Sequence, residues 1–99
     1  MAVFVDVDDT LVRFSGNKVI PIPKVIEYVK DLKNKGYVLY LWSRGGAAYA
    51  KSIAEKLGIE HCFVYFLDKP EWMIDDQGIE EWKFLKIVHP NQIENSKTD

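Results

Sequence analysis

Cysteine is almost missing from this chain: Cys62 stands alone among 99 residues. An internal disulfide is therefore excluded, and so is a zinc site of the cysteine-rich kind. A single thiol in a small domain points to a reducing compartment. Long apolar runs are missing too. None approaches the roughly 20 residues that span a bilayer, and no basic segment precedes an apolar one at the N-terminus, so no signal peptide is read there. Charge of one sign is not in excess either: 13 Lys and Arg face 15 Asp and Glu, a formal net charge of −2. That balance gives no indication of a nucleic-acid or membrane-surface partner. What is there is 47% hydrophobic and 28% charged residues, the composition of an ordinary globular protein. A chain of this size makes one domain and buries about 60–70% of its unfolded surface. The expectation is a soluble, cytoplasmic protein.

Periodicity divides the chain. Residues 2–7 are apolar and β-branched, as in a strand buried on both faces. Residues 11–20 alternate loosely about Ser15-Gly16-Asn17, which reads as a hairpin. Pro23 suits the first turn of a helix; Val25, Tyr28, Val29 and Leu32 follow at helical spacing, and Gly36 ends it. Residues 37–42 read as a second buried strand and Ser43-Arg44-Gly45-Gly46 as a loop. Residues 47–57 read as a second helix with Ala50, Ile53, Ala54 and Leu57 on one face. Three more strands are expected at 62–67, 72–74 and 84–88, with one helical turn over 79–82. Residues 1–90 then form one core and 91–99 a polar, frayed tail. Strands alternating with helices predict an α/β, Rossmann-like three-layer domain with a parallel sheet of about five strands and no cap domain.

In open sheets of this kind ligands bind outside the carboxyl ends of the strands. Four stretches deliver polar residues there: Asp6-Val7-Asp8 after the first strand, Ser43 after the second, Lys69 after the third, and Asp75-Asp76 after the fourth. With Asp9 and Thr10, the first stretch is D-x-D-x-T. These four features, in this order, resemble the haloacid dehalogenase superfamily of phosphohydrolases. The resemblance runs from Ala2 to Asp76. The chain is short for that family, and the only candidate lid is the hairpin segment from Phe14 to Val19.

Elementary electrostatics agrees with such chemistry. Asp6 and Asp8 are two apart, so an extended chain points both to one side. A pair of like charges at 4 Å costs about 4 kcal/mol at an effective dielectric of 20. Several such pairs threaten a domain whose whole stability is about 5–15 kcal/mol. A hard divalent cation with oxygen ligands removes the problem, and Mg²⁺ suits few carboxylates with remaining waters. The resemblance implies Asp6 as nucleophile, forming an aspartyl-phosphate, and Asp8 as general acid and base, meeting the metal through its backbone carbonyl. It implies Asp6 and Asp76 as side-chain metal ligands, with Asp75 a ligand or its support. Ser43 and Lys69 would hold the phosphoryl oxygens, Arg44 would hold a substrate group, and the N–H groups of Gly45 and Gly46 would approach the phosphate. The expected activity is a Mg²⁺-dependent phosphomonoesterase.

The other polar residues read more simply. Asp9 reads as turn-forming, Thr10 as bonded locally to the backbone, Asp68 as a solvated loop acid, and His61 and His89 as surface or structural groups. Cys62 and Trp42, Trp72 and Trp82 read as core or partial core. Two rival functions remain open. One is a phospho-acceptor domain of the response-regulator type with Asp68 as acceptor. The other is an idle metal- or phosphate-binding module. The substrate class, small metabolite or macromolecule such as an oligonucleotide end, is open, as is the oligomeric state.

Overall fold

The computed structural model describes residues 1–94. Five strands and two helices follow one another as β1 (Ala2–Asp6), β2 (Val12–Ser15), β3 (Lys18–Pro21), α1 (Pro23–Asn34), β4 (Val38–Ser43), α2 (Ala47–Leu57) and β5 (Phe63–Asp68). Short 3-10 turns lie at Glu60–Cys62, Ile79–Glu81 and Pro90–Gln92. Gly16, at φ 61°, takes the left-handed conformation that lets β2 and β3 close as a hairpin. Pro23 opens α1, where its missing N–H is no loss. Gly58, at φ 70°, ends α2.

The expected single sheet of about five strands is corrected to two smaller ones. A three-stranded parallel sheet runs β1-β4-β5, and the hairpin β2-β3 stands apart from it. The parallel register aligns Phe4 with Tyr40 and Asp6 with Trp42, then Tyr40 with Tyr65 and Ser43 with Asp68. Because the strands step across the sheet in one direction, right-handed crossovers deliver both helices to the same face. Alternation along the strands agrees. Val5, Val7, Leu39, Leu41 and Phe63 are buried and join Val25, Val29, Ala50, Ile53 and Ala54 of the helices in one core.

The opposite face carries aromatic side chains with no helix over them among the described residues. Phe4 stacks on Tyr40 at 4.8 Å and meets Trp42 at 4.6 Å, and Tyr40 stacks on Tyr65 at 6.3 Å. Phe4 and Tyr65 are largely exposed. The first strand is thus buried on one face, not two, and the domain has two layers where three were expected.

Residues 72–74 and 84–88 do not form strands. Among the described residues their apolar runs find no partner strand, and Trp72, Ile74, Phe84 and Ile87 are exposed. Trp72 is therefore not core, whereas Cys62 is buried and Trp42 and Trp82 are half-buried. The helical turn near residue 79 is present. Of the expected tail, Ile93 packs against the core, which corrects the frayed reading at that residue; residues 95–99 lie outside the described residues.

Candidate active site

One carbonyl shapes the turn after β1. Val7 O accepts the backbone N–H groups of Thr10, Leu11 and Val12 at 3.2, 2.9 and 3.3 Å, and Asp9 N–H returns to Val12 O at 2.8 Å. Asp9 sits at φ 59°, a conformation that aspartate tolerates better than most side chains. It is the turn-forming residue the sequence implied. None of the bonds closing this turn ends on the Asp8 carbonyl. Val5 and Val7 point into the core, so Asp6 and Asp8 face outward together.

Around Asp6 the structure places a cation and a hydroxyl. Lys69 Nζ lies 3.8 Å from Asp6 Oδ1, with the two side chains 36% and 31% exposed. Thr10 Oγ1 donates to Asp6 Oδ2 at 3.4 Å, so the threonine serves the aspartate as well as its own turn. Lys69 is held in place by its backbone N–H, which donates to Ser43 O at 2.9 Å. The strand ends of β1, β4 and β5 are thereby joined at one edge.

Ser43 lies at that edge but is 2% exposed. Its Oγ accepts the Gly45 N–H at 3.0 Å, and its carbonyl accepts the Gly46 N–H at 3.0 Å. The next amide, Ala47 N–H, donates to Asp68 Oδ1 at 2.8 Å. The amides expected to cradle a phosphate are thus engaged by the protein itself, and Ser43 anchors the loop that carries them. Arg44 is exposed beside it. Asp68 is exposed, as expected of a solvated acid, but it ends β5 rather than lying in a loop, and one of its oxygens caps the start of α2.

Tyr49 was not singled out in the sequence, yet its hydroxyl donates to Asp8 Oδ1 at 2.7 Å. The signal was its place three residues into α2, four after Gly45, where a large ring needs a small neighbour. A Cβ at Gly45 would fall 2.8 Å from the Tyr49 ring. Burial, then the hydrogen bond to Asp8 and the charge of that carboxylate, push the Tyr49 phenol up from 10.0 to about 12. In the unfolded chain the phenol ionises near its ordinary value, so this contribution to stability is complete below about pH 10 and lost as pH rises toward about 12. Denaturant titrations of wild type and Tyr49→Phe across that window should show the wild-type advantage shrinking with pH; a constant difference would contradict the phenol held by Asp8.

Asp75 and Asp76 are not brought to this edge by a strand, because residues 72–74 form none. Asp75 Oδ1 instead accepts Gln77 N–H at 3.0 Å, in an open cleft lined by Glu81, Trp82 and Phe84. Among the described residues, no three Asp, Glu, His or Cys side chains converge where they could hold a metal ion. His89 accepts Asn91 N–H at 3.1 Å, a local turn contact. No helix among the described residues is long and apolar enough to cross a membrane.

The matched family is described as a protein of unknown function, DUF705, over residues 1–70. The chain belongs to the DUF705 family. This corrects the resemblance to the haloacid dehalogenases: the family found is DUF705 and not one of theirs. No curated protein and no solved structure matches the chain. The DUF705 segment contains Asp6, Asp8, Ser43, Tyr49, Asp68 and Lys69 and stops before Asp75.

Proposed function

We propose that this DUF705 protein hydrolyses a phosphate monoester through an aspartyl-phosphate on Asp6. The observation that carries the reading is the Asp6–Lys69 pair: a partly exposed carboxylate at a strand end, with an ammonium group 3.8 Å away. A carboxylate is a competent nucleophile toward phosphorus, and phosphoryl transfer depends mainly on positioning and charge stabilisation. The β4-α2-β5 unit is read as half of a Rossmann-like layer, whose ligand edge is the carboxyl end of its strands.

The steps balance with groups at this edge. An Asp6 oxygen attacks phosphorus and the bond from phosphorus to the ester oxygen breaks. Asp8 gives its proton to that oxygen, and the alcohol leaves. Asp8, now a carboxylate, takes a proton from water as the water attacks the aspartyl-phosphate; inorganic phosphate departs and Asp6 is regenerated. Lys69 offsets charge on the transferring oxygens, and Arg44, exposed next to Ser43 in the loop after β4, would hold the remainder of the substrate. Asp68 is the weaker nucleophile candidate, since one of its oxygens already caps α2.

Mg²⁺ would have to be held by a reduced donor set, since no three acidic, His or Cys side chains converge among the described residues. The ion needs one or two carboxylates, keeps several waters and shares phosphate oxygens. The Asp6 side chain and the Asp8 carbonyl would supply those donors without Asp75 or Asp76, and the bound ion would supply charge neutralisation for the phosphate. The test is phosphate release from a panel of aryl and alkyl phosphates, with Mg²⁺ or with chelator. Metal-dependent release is expected; no release from any ester would overturn the reading in favour of a binding module.

A further inference from the structure

Asp8 sits on an exposed turn, where a carboxylate's last torsion is broad and either oxygen can face the solvent. Tyr49 removes that freedom. Its hydroxyl donates to Asp8 Oδ1 at 2.7 Å, a charge-assisted bond of the stronger kind when Asp8 is ionised. The tyrosine is itself held on two sides. It belongs to the first turn of α2 and packs against the core. Its ring also lies against Gly45, where any Cβ would stand 2.8 Å from it. Gly45 is in turn fixed by its N–H bond to the buried Ser43 Oγ. A chain of contacts therefore runs from Ser43 through Gly45 and the Tyr49 ring to one oxygen of Asp8.

We propose that Tyr49 is a positioning residue that occupies Asp8 Oδ1 and so assigns proton transfer to Asp8 Oδ2. This rests on the phosphomonoesterase reading and adds to it the atom that carries the proton. In the first step the Oδ2–H bond breaks as the leaving ester oxygen gains the proton; in the second, Oδ2 accepts the proton of the attacking water. When Asp8 is protonated at Oδ2, Oδ1 still accepts from the phenol, so one tyrosine rotamer serves both states.

Proton delivery matters little for an acidic phenol leaving group and a great deal for a basic alcohol. Wild type and Tyr49→Phe are to be compared on 4-nitrophenyl phosphate and on a simple alkyl phosphate, with kcat and KM measured separately. The ratio of alkyl to aryl kcat is expected to fall roughly 10- to 100-fold in the variant, within the range that general acid catalysis contributes, with KM for both esters little changed. An equal loss on both esters, or no loss, overturns the assignment, because a merely structural tyrosine would not distinguish leaving groups. Asp8→Asn supplies the control should Tyr49→Phe fold poorly: it should show the same selective loss, and adding Tyr49→Phe to it should lower the ratio no further. A further fall in that double variant also overturns the assignment. Wild type that hydrolyses neither ester takes down the esterase reading and this inference with it.

Discussion

Asp6→Asn is expected to lower phosphate-ester turnover by at least about 10³-fold while leaving the fold intact, in line with the loss of a covalent nucleophile elsewhere. The amide has nearly the same size and shape, so the change removes charge and nucleophilicity alone. Little stability goes with it. Asp6 lies outside the apolar core, and its partner Lys69 is at a partly exposed position 3.8 Å away, the kind of ion pair that contributes little. Relief of repulsion from Asp8 works in the opposite direction. The measurements are steady-state hydrolysis beside a thermal melt. Loss of turnover with an unchanged melt supports Asp6 as the nucleophile. More than about a tenth of wild-type turnover in a clean preparation would remove it from that role.

The largest effect on stability is expected from the middle strand. Leu41 is fully buried in β4, between Val5 of β1 and Phe66 of β5 in the register. Leu41→Ala removes buried methyl groups and leaves a cavity that backbone pairing on both sides keeps from closing. Changes of this kind cost about 2–5 kcal/mol. For a domain of this size each kcal/mol lowers Tm by about 4–8 °C, so a drop of roughly 10–40 °C is expected. Trp72→Ala provides the contrast: that side chain is 85% exposed, and its loss should change stability by no more than about 0.5 kcal/mol. A fall of only a few degrees for Leu41→Ala would mean that β4 is not the centre of the packed sheet.

These two positions also show what could be read from the chain alone. β1, β4 and both helices were legible because their signals are local: period-two and period-3.6 apolar spacing, Pro23 at a helix start, glycines at helix ends. The strands expected at 72–74 and 84–88 rested on three to five apolar residues, and a strand of that length exists only if a distant partner pairs with it. No spacing within the segment reports whether that partner is there. The two-layer architecture was hidden for a similar reason. Phe4, Tyr40 and Tyr65 read as buried strand residues until the strand order β1-β4-β5 put both helices on one side. At the site, Asp6, Asp8 and Lys69 were found because acids and a lysine at strand ends stand out chemically. Tyr49 was passed over, and the capping role of Asp68 was not read, because their partners, Asp8 and Ala47 N–H, lie 41 and 21 residues away.

The alternation of Val5 and Val7 with Asp6 and Asp8 has a consequence for how this stretch tolerates heritable change. Side chains on a strand exchange faces with every one-residue shift. Substitution at Asp6 or Asp8 touches chemistry and spares packing, and a conservative change at Val5 or Val7 does the reverse. Loss or gain of a single codon between Ala2 and Asp8 falls on both at once: it turns carboxylates into the core and valines out to the edge. This stretch can drift in composition while its length stays fixed.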